Sequence, residues 1–348
     1  MNTSTQSWSA DVRRASSRRG DVPSAPVMTG VGPSKAGSSR PAIGASGSVG
    51  VVRGVEGRLR RGESERPPAR PSLVELVFDH MHSEWAMEVI RGVEQVLSAE
   101  RTALVLSELH GNRGQKDRWF DDLLDRRPLG VILVVLKLDE RQRRRLTEAG
   151  VPVVFVDTAE EQPPEVPVVG SANWAGGLAV ARHLTGLGHR RIAMISGPTA
   201  LLCSRARAGG FLSALAAEGV PAAPHRIRYG DFRAHGGYVH GLELLDRPDR
   251  PTAIFAGSDY QALGVMRAAH ELGLSVPRDL SVVGYDDLSI TEWSGPPLTT
   301  VRQPLRDMAA TAARMIMTLA RGQRPPYLRI DLATELVLRQ STAPPGGS

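Results

Sequence analysis

Apolar and polar positions succeed one another along most of this 348-residue chain in two alternating patterns. Continuous apolar runs such as LVELVF (73–78) are typical of strands that are buried on both faces. Between such runs lie amphipathic stretches such as 83–100, where Trp85, Val89 and Val93 recur on one face of a helix. A regular strand–helix succession of this kind predicts a parallel, doubly wound sheet.

The succession occurs twice, which predicts two similar lobes at about 72–165 and 166–295. In the first lobe we expect strands at 73–78, 102–109, 130–136 and 152–157, and helices at 83–100, 116–124 and 140–150. In the second lobe we expect helices at 174–188, 204–219, 234–246 and 259–273, and strands at 191–196, 226–231, 253–258 and 280–286. LTTVRQ (298–303), a helix at 305–322 and a strand at 332–341 remain. We assign 298–322 to the first lobe, 327–342 to the second lobe, and 343–348 to a tail.

Residues 1–71 have a different composition from the rest of the chain. Gly, Pro and Ser supply 28 of the first 70 residues, which also hold 12 Lys and Arg against 5 Asp and Glu. The remainder is nearly balanced, with 31 basic and 32 acidic residues. A segment so poor in large apolar residues is expected to be disordered. It is either a basic arm that touches DNA phosphates or a solvated tail.

Composition also limits the protein class and its compartment. The single cysteine, Cys203, excludes a disulfide framework and a cysteine-based zinc site. No apolar run is long enough to span a membrane, and no secretory signal is recognisable, so we expect a cytoplasmic protein. His80 and His82 share a loop without a third placed ligand, so we predict no metal and no cofactor.

Polar residues follow the predicted strands at the positions where open parallel sheets bind ligands. These strand ends are Asp79, Asp157, Gly197-Pro198, Asp231-Phe232, Ser258-Asp259 and Asp286-Asp287. If the two lobes face each other, these ends converge on one cleft. Such an acid-rich set suits a small polyhydroxylated ligand.

Four segments resemble the LacI/GalR family of bacterial transcriptional regulators. They are HLTGLGHRRIAMISGP (183–198), SRARAGGFLSALAAEGV (204–220), the stretch 251–288 with its VVGYDDL end, and PPLTTVRQP (296–304). They occur in the family's order and spacing, and the resemblance covers about residues 72–345. It implies a core like a type I periplasmic sugar-binding protein, with two lobes, three crossover strands and an effector in the cleft.

The resemblance also implies roles for individual residues. Arg207, in an Arg-x-x-Gly-Phe pattern, is similar to the family's effector-binding arginine, and Asp286 would hold effector hydroxyls. Ser258-Asp259 stands where the family usually has Asn-Asp. The complete set of candidate effector-binding residues is Asp79, Ser83, Trp85, Asp157, Arg207, Phe232, Ser258, Asp259 and Asp286.

Some of these residues have an alternative structural interpretation. Asp259 is as well placed to cap the following helix as to touch ligand. Trp85 fits a core position as well as a ligand contact. Asp287 is expected to order the following loop rather than to bind effector.

Members of the family begin with a helix-turn-helix and a hinge helix, and residues 1–71 show no such pattern. Either this segment is a frame-shifted version of a helix-turn-helix region, or the domain has been lost. Operator DNA is therefore a partner that the family implies but that residues 1–71 do not indicate. The resemblance also implies a homodimer that buries faces of helices 83–100 and 259–273.

Three functions remain to be compared. The first is a LacI/GalR-type regulator, most commonly a repressor in the family, that senses a sugar or a similar metabolite. The second is a cytoplasmic sugar receptor without a specific DNA role. An enzyme is disfavoured, because no Gly-x-Gly-x-x-Gly follows LVELVF. The side chains of Asp286 and Asp287 would also point apart on a continuing strand, which suits neither glycosidase geometry.

Overall fold

Strands and helices alternate throughout residues 72–81, 83–109 and 113–346, which are the residues that this computed structural model describes. The strands are β1 (Leu73–Phe78), β2 (Ala103–Glu108), β3 (Gly130–Val134), β4 (Val153–Val156), β5 (Val168–Ser171), β6 (Ile192–Ser196), β7 (Ile227–Tyr229), β8 (Ala253–Ala256), β9 (Ser281–Val283), β10 (Thr300–Arg302), β11 (Arg329–Leu332) and β12 (Glu335–Val337). The helices are α1 (Glu84–Ala99), α2 (Arg113–Arg126), α3 (Glu140–Glu148), α4 (Asn173–Gly186), α5 (Leu202–Ala217), α6 (Ala234–Leu245), α7 (Asp259–Glu271), α8 (Ile290–Trp293) and α9 (Leu305–Ala320). A short 3-10 helix at Pro224–Arg226 precedes β7.

The first sheet has six parallel strands in the order β11-β5-β4-β3-β1-β2. Helices α1 and α9 pack together over one face, and their apolar residues form one core with those of the inner strands. Phe120 on α2 and Leu146 on α3 belong to the core on the other face. The inner strands are therefore covered on both sides, which explains their continuous apolar sequences.

The second sheet has four parallel strands in the order β7-β6-β8-β9. Helices α4 and α5 cover one face, and α6 and α7 cover the other. Close helix pairing is possible because small residues line the contacts. A Cβ on Gly177, for example, would lie 2.1 Å from the backbone oxygen of Arg207.

The chain passes between the two sheets at three places in the described region. It leaves β5 of the first sheet for α4, and it leaves β9 of the second sheet through β10 for α9. Finally it leaves β11 of the first sheet for β12, which pairs antiparallel with β10. The predicted fold class of two parallel-sheet lobes is confirmed, and PPLTTVRQP is the return connection to α9 that the resemblance implied.

The sheets divide the chain differently from the predicted lobe boundaries at two places. Strand β5 lies in the first sheet between β4 and β11, although we predicted that the second lobe starts at residue 166. Its four residues, VVGS, are too short a run after Pro167 to be recognised as a strand. Strand β11 also belongs to the first sheet, although we assigned 327–342 to the second lobe. The predicted strand 332–341 contains β12 and shares only Leu332 with β11.

None of the helices in the described part of the chain combines the length and apolar content that a membrane span requires. The predictions for residues 1–71, which concern disorder, a basic arm and a missing helix-turn-helix, lie outside the described residues.

Candidate functional site

Six side chains meet at the carboxyl ends of the strands and along the connections between the sheets. We call this set the polar cluster. It consists of Asp157, Asn173, Arg207, Phe232, Asp286 and Gln303. Four of the six are residues that the sequence predicted as effector contacts.

The guanidinium of Arg207 is the centre of the polar cluster. Arg207 is only 4% exposed; its Nε donates to Oδ1 of Asn173 at 2.8 Å and its Nη1 donates to the carbonyl of Gly257 at 2.6 Å. The same Nη1 lies 3.9 Å from Oδ1 of Asp286. Buried arginines need such partners, because an unpaired charge in the interior is very costly.

Two aromatic rings hold this guanidinium between them. Its Cζ lies 3.8 Å from the centroid of Tyr285 and 5.4 Å from that of Phe232, both within cation–π range. Phe232 can approach because residue 197 is glycine: a Cβ there would lie 2.0 Å from the ring. The side chain of Arg207 is therefore fixed before any ligand arrives.

Backbone strain is concentrated in the polar cluster. Asp157, Phe232 and Asp286 have φ angles of 47°, 64° and 117°, and none of them is glycine. Such conformations cost about 1–3 kcal/mol each and tend to persist at functional sites. Arg101, Arg127, Val135 and Asp287 are the other non-glycine residues with positive φ in the described part of the chain.

Gln303 links the two sheets through its amide group. Its Oε1 accepts a hydrogen bond from Ser171 at the end of β5 at 2.7 Å, and its Nε2 donates to Oδ1 of Asp286 at 2.6 Å. One amide thus joins a first-sheet strand end to a second-sheet strand end. Asp157, on the first-sheet side, receives hydrogen bonds from the Asn173 side chain and the Ser171 backbone.

Burial dominates the electrostatics of the two acids in the polar cluster. Burial, with a smaller contribution from Asp157, raises the pKa of Asp286 to about 7, and Arg207 and Gln303 oppose the shift. Burial also raises the pKa of Asp157, although Arg207 and Asn173 oppose the change. The Asp286 carboxyl therefore exchanges its proton near neutral pH, where a change in its surroundings alters its charge.

The Ser258-Asp259 turn makes contacts that stabilise the fold. Ser258 Oγ donates to the Phe232 carbonyl at 2.8 Å and accepts from the Gln261 N–H as the N-cap of α7. The fully buried Asp259 carboxylate accepts from Leu288 N–H at 2.8 Å and from Thr300 Oγ1 at 2.5 Å. These two residues thus lie behind the polar cluster, and their predicted contact with effector remains a prediction.

The remaining predicted residues lie near the first turn of α1 and do not join the polar cluster. Ser83 caps α1 by accepting from Ala86 N–H at 3.3 Å, and Trp85 packs against the first-lobe core. The half-exposed Asp79 side chain lies 3.6 Å from His80. Asp287 pairs with Arg302 and Arg339, each at 2.7 Å, which agrees with its predicted role in ordering the loop.

A cavity of about 320 Å³ reaches the polar cluster beside α1 and α9. Asp286 and Gln303 form part of its wall, and the charged side chains lining the rest are Glu84, Glu88, Asp287, Arg302, Arg306 and Asp307. Its volume is at the lower end of the range that is usual for small-molecule sites. In the same region Glu84 Oε1 accepts from the Ser289 N–H at 3.0 Å, which links the two lobes.

Sequence reasoning missed Asn173, Tyr285 and Gln303. Asn173 lies two residues beyond the end of β5, so the strand-end rule would have found it if β5 had been recognised. Gln303 ends the TTVRQ run and Tyr285 precedes the paired acids, but neither residue type stands out in a sequence. Among the described residues, no three His, Cys, Asp or Glu side chains are grouped to hold a metal ion.

Comparison with known proteins agrees with this architecture. Residues 181–342 match the periplasmic binding protein-like domain. The HTH-type transcriptional regulator CelR of Thermobifida fusca is 37% identical over 216 residues, which are 61% of this chain and 63% of the relative, so the match spans less than two thirds of CelR. The HTH-type transcriptional regulator in the aml 5′ region of Streptomyces limosus is 37% identical over 265 residues, 73% of this chain and 75% of the relative.

A solved structure extends the likeness to three dimensions. The complex of the transcriptional regulator CelR with cellobiose superposes with a TM-score of 0.72 at 31% identity, covering 78% of this chain and 86% of that chain. The order of the strands, the crossovers between the sheets and these relatives agree with the resemblance that the four sequence segments carried. The chain belongs to the LacI/GalR family of transcriptional regulators and contains that family's periplasmic-binding-protein-like core.

Proposed function

We propose that this protein is an effector-controlled transcriptional regulator, that its effector is a sugar or a similar polyhydroxylated metabolite, and that it acts as a repressor. The observation that carries the proposal is the Arg207–Asp286 pair, held in place at the strand ends by Asn173 and Gln303. These side chains lie at the junction of the two sheets, which is where open parallel sheets bind ligands.

The chemistry of the polar cluster suits hydroxyl groups. A carboxylate such as Asp286 accepts hydrogen bonds from hydroxyls, and the guanidinium of Arg207 donates two bonds in a fixed geometry to adjacent oxygens. Phe232 offers a ring on which the apolar face of a sugar can stack. The CelR–cellobiose complex, similar over 78% of this chain, supports a sugar as the effector class.

The connections between the sheets provide a route for the signal. Gln303 lies between β10 and α9, so a change at Asp286 reaches the helix that covers the first sheet. A ligand that prefers one arrangement of the lobes shifts the population towards it. In a homodimer that buries faces of α1 and α7, this shift would alter the spacing of a DNA-binding unit on operator DNA.

The effector site can be tested by thermal stabilisation with cellobiose, D-glucose and D-ribose. We expect at least one sugar to raise the melting temperature of the wild-type chain and Arg207→Ala to lose the rise. The matched control is Arg182→Ala, which removes an exposed arginine from α4 and should keep the response. A full response in Arg207→Ala would remove the polar cluster from the proposed site.

The alternative is a sugar receptor without specific DNA binding, which the sequence of residues 1–71 favours. Fluorescence anisotropy on the protein's own promoter DNA and on scrambled DNA, over a salt series, separates the two functions. Promoter preference that survives moderate salt supports the regulator. Equal and salt-sensitive binding to both DNAs reports phosphate attraction alone and supports the receptor.

A further inference from the structure

Negative charge outweighs positive charge at the polar cluster and in its cavity. Asp286 faces Arg207 on α5, Asp157 at the end of β4 and Asp259 at the start of α7. Asp331 on β11 contributes to the raised pKa of Asp157 by charge repulsion. Four acids, Asp157, Asp259, Asp286 and Asp331, are thus grouped here, whereas Arg207 is the one arginine that faces them.

The arginines at the site already have carboxylate partners. Arg302 Nε pairs with Asp287 at 2.7 Å and its Nη1 pairs with Glu335 at 3.0 Å. Arg306 pairs with Glu88, and Arg207 lies 3.9 Å from Asp286. An anionic ligand would have to displace a carboxylate from one of these arginines, and the displaced carboxylate would remain beside it.

We propose that the effector of this protein is uncharged, and that the site rejects sugar acids and sugar phosphates. This inference rests on the proposed function, since it specifies the chemical class of molecule bound at the same site. A neutral polyol can donate its hydroxyls to the carboxylates and accept from the Arg207 guanidinium without adding charge. A phosphate or carboxylate brings acceptors only, and it meets acids that also accept.

The raised pKa of Asp286 agrees with this inference. Burial and the nearby Asp157 both disfavour the ionised form of that carboxyl, so the site opposes the gain of a negative charge. An additional anion would be opposed by the same burial and by the same neighbouring acids.

The test compares neutral ligands with anionic counterparts, and one of the pairs is nearly equal in size. In the first pair, D-glucuronate carries a carboxylate where D-glucuronamide carries a neutral amide. In the second pair, D-ribose is compared with ribose 5-phosphate. Cellobiose and D-glucose are included as further neutral sugars. Binding is measured by calorimetry and thermal shift on the full chain. We expect a neutral member to bind and its charged counterpart to bind at least about 100-fold more weakly, since like-charge contacts at desolvated sites cost several kcal/mol.

Two variants check that charge causes the rejection. Asp286→Asn keeps an acceptor for Gln303, and Glu84→Gln keeps an acceptor for the Ser289 N–H, so both retain the contacts that hold the fold. Each should reduce the ratio of neutral to anionic affinity at least about tenfold. Asp122→Asn, an exposed acid on α2, is the control and should leave the ratio unchanged.

The outcomes separate this inference from the proposed function. If a sugar acid or phosphate binds as tightly as its neutral counterpart, the inference is overturned and the sugar effector stands. If rejection persists unchanged in both charge variants, it is not electrostatic and the inference also falls. If every ligand in the set fails to bind, the sugar class is removed from the proposed function, and this inference is removed with it.

Discussion

The two sides of the cleft differ in how fully their ligand-facing groups are assembled. On the second-lobe side, Arg207, Phe232 and Asp286 are held together by rings, hydrogen bonds and strained backbone. On the first-lobe side, Asp157 is the one predicted residue that belongs to the polar cluster, whereas Ser83 caps a helix and Trp85 packs on the core. The first-lobe residues were predicted from the same family resemblance with equal weight.

Under the proposed function, this difference means that recognition would be pre-organised on the second lobe. Groups fixed before binding lose little entropy when a ligand arrives, so the second-lobe side should supply most of the initial affinity. The first lobe then contributes through closure, for which Gln303 and the Glu84–Ser289 link are suitable connections. Variants that separate folding roles from binding roles can show whether the two sides really differ.

The largest effect on stability is expected for Asp259→Ala. The change leaves the buried Leu288 N–H and Thr300 hydroxyl without their acceptor, so the free energy of unfolding should fall by about 3 kcal/mol. Urea denaturation followed by tryptophan fluorescence measures it, with the exposed Asp122→Ala as control. A stable variant that no longer responds to effector would instead make Asp259 a ligand contact.

Asp286 is expected to make the free energy of unfolding depend on pH, by about 2 kcal/mol between pH 5 and pH 7. Its pKa is about 7 when folded, above the ordinary value of 3.8, so the folded chain holds the proton more tightly than the unfolded chain. That contribution to the free energy of unfolding is therefore complete below about pH 4, and it is lost progressively as the pH rises from there to about 7. Urea denaturation of wild type and Asp286→Asn across this range should give a flatter profile for the variant. The remaining slope would come from Asp157 and Asp259, whose pKa values burial also raises. Identical stability–pH profiles for wild type and Asp286→Asn would contradict the assignment of this pH dependence to Asp286.

The smallest effect is expected for Ser83→Ala on the first-lobe side. Loss of the N-cap of α1 should lower the free energy of unfolding by about 1 kcal/mol, with no change in effector affinity. Thermal denaturation and calorimetry measure the two quantities, and Ser98→Ala at the exposed end of the same helix is the control. A loss of affinity beyond the loss of stability would restore Ser83 as an effector contact.

Most elements could be predicted because their patterns are long and periodic, as in LVELVF and the helix that follows it. The short strands β5 and β11 could not be assigned correctly, because four residues carry too little periodicity to identify a partner sheet. Members of the polar cluster could be anticipated where a family motif marked them, as at Arg207 on α5 and Asp286 after β9. Gln303 could not be predicted in this way, because its role depends on which strand ends the tertiary structure brings together.

The placement of α9 and β11 has a consequence for biosynthesis. Although β1 is the first strand to leave the ribosome, its sheet lacks its edge strand and the helix covering its core until residues 305–332 have emerged. The strands of the second sheet, which span 192–283, are all available earlier. The first sheet is therefore completed after the second sheet, and its apolar face needs protection through most of translation.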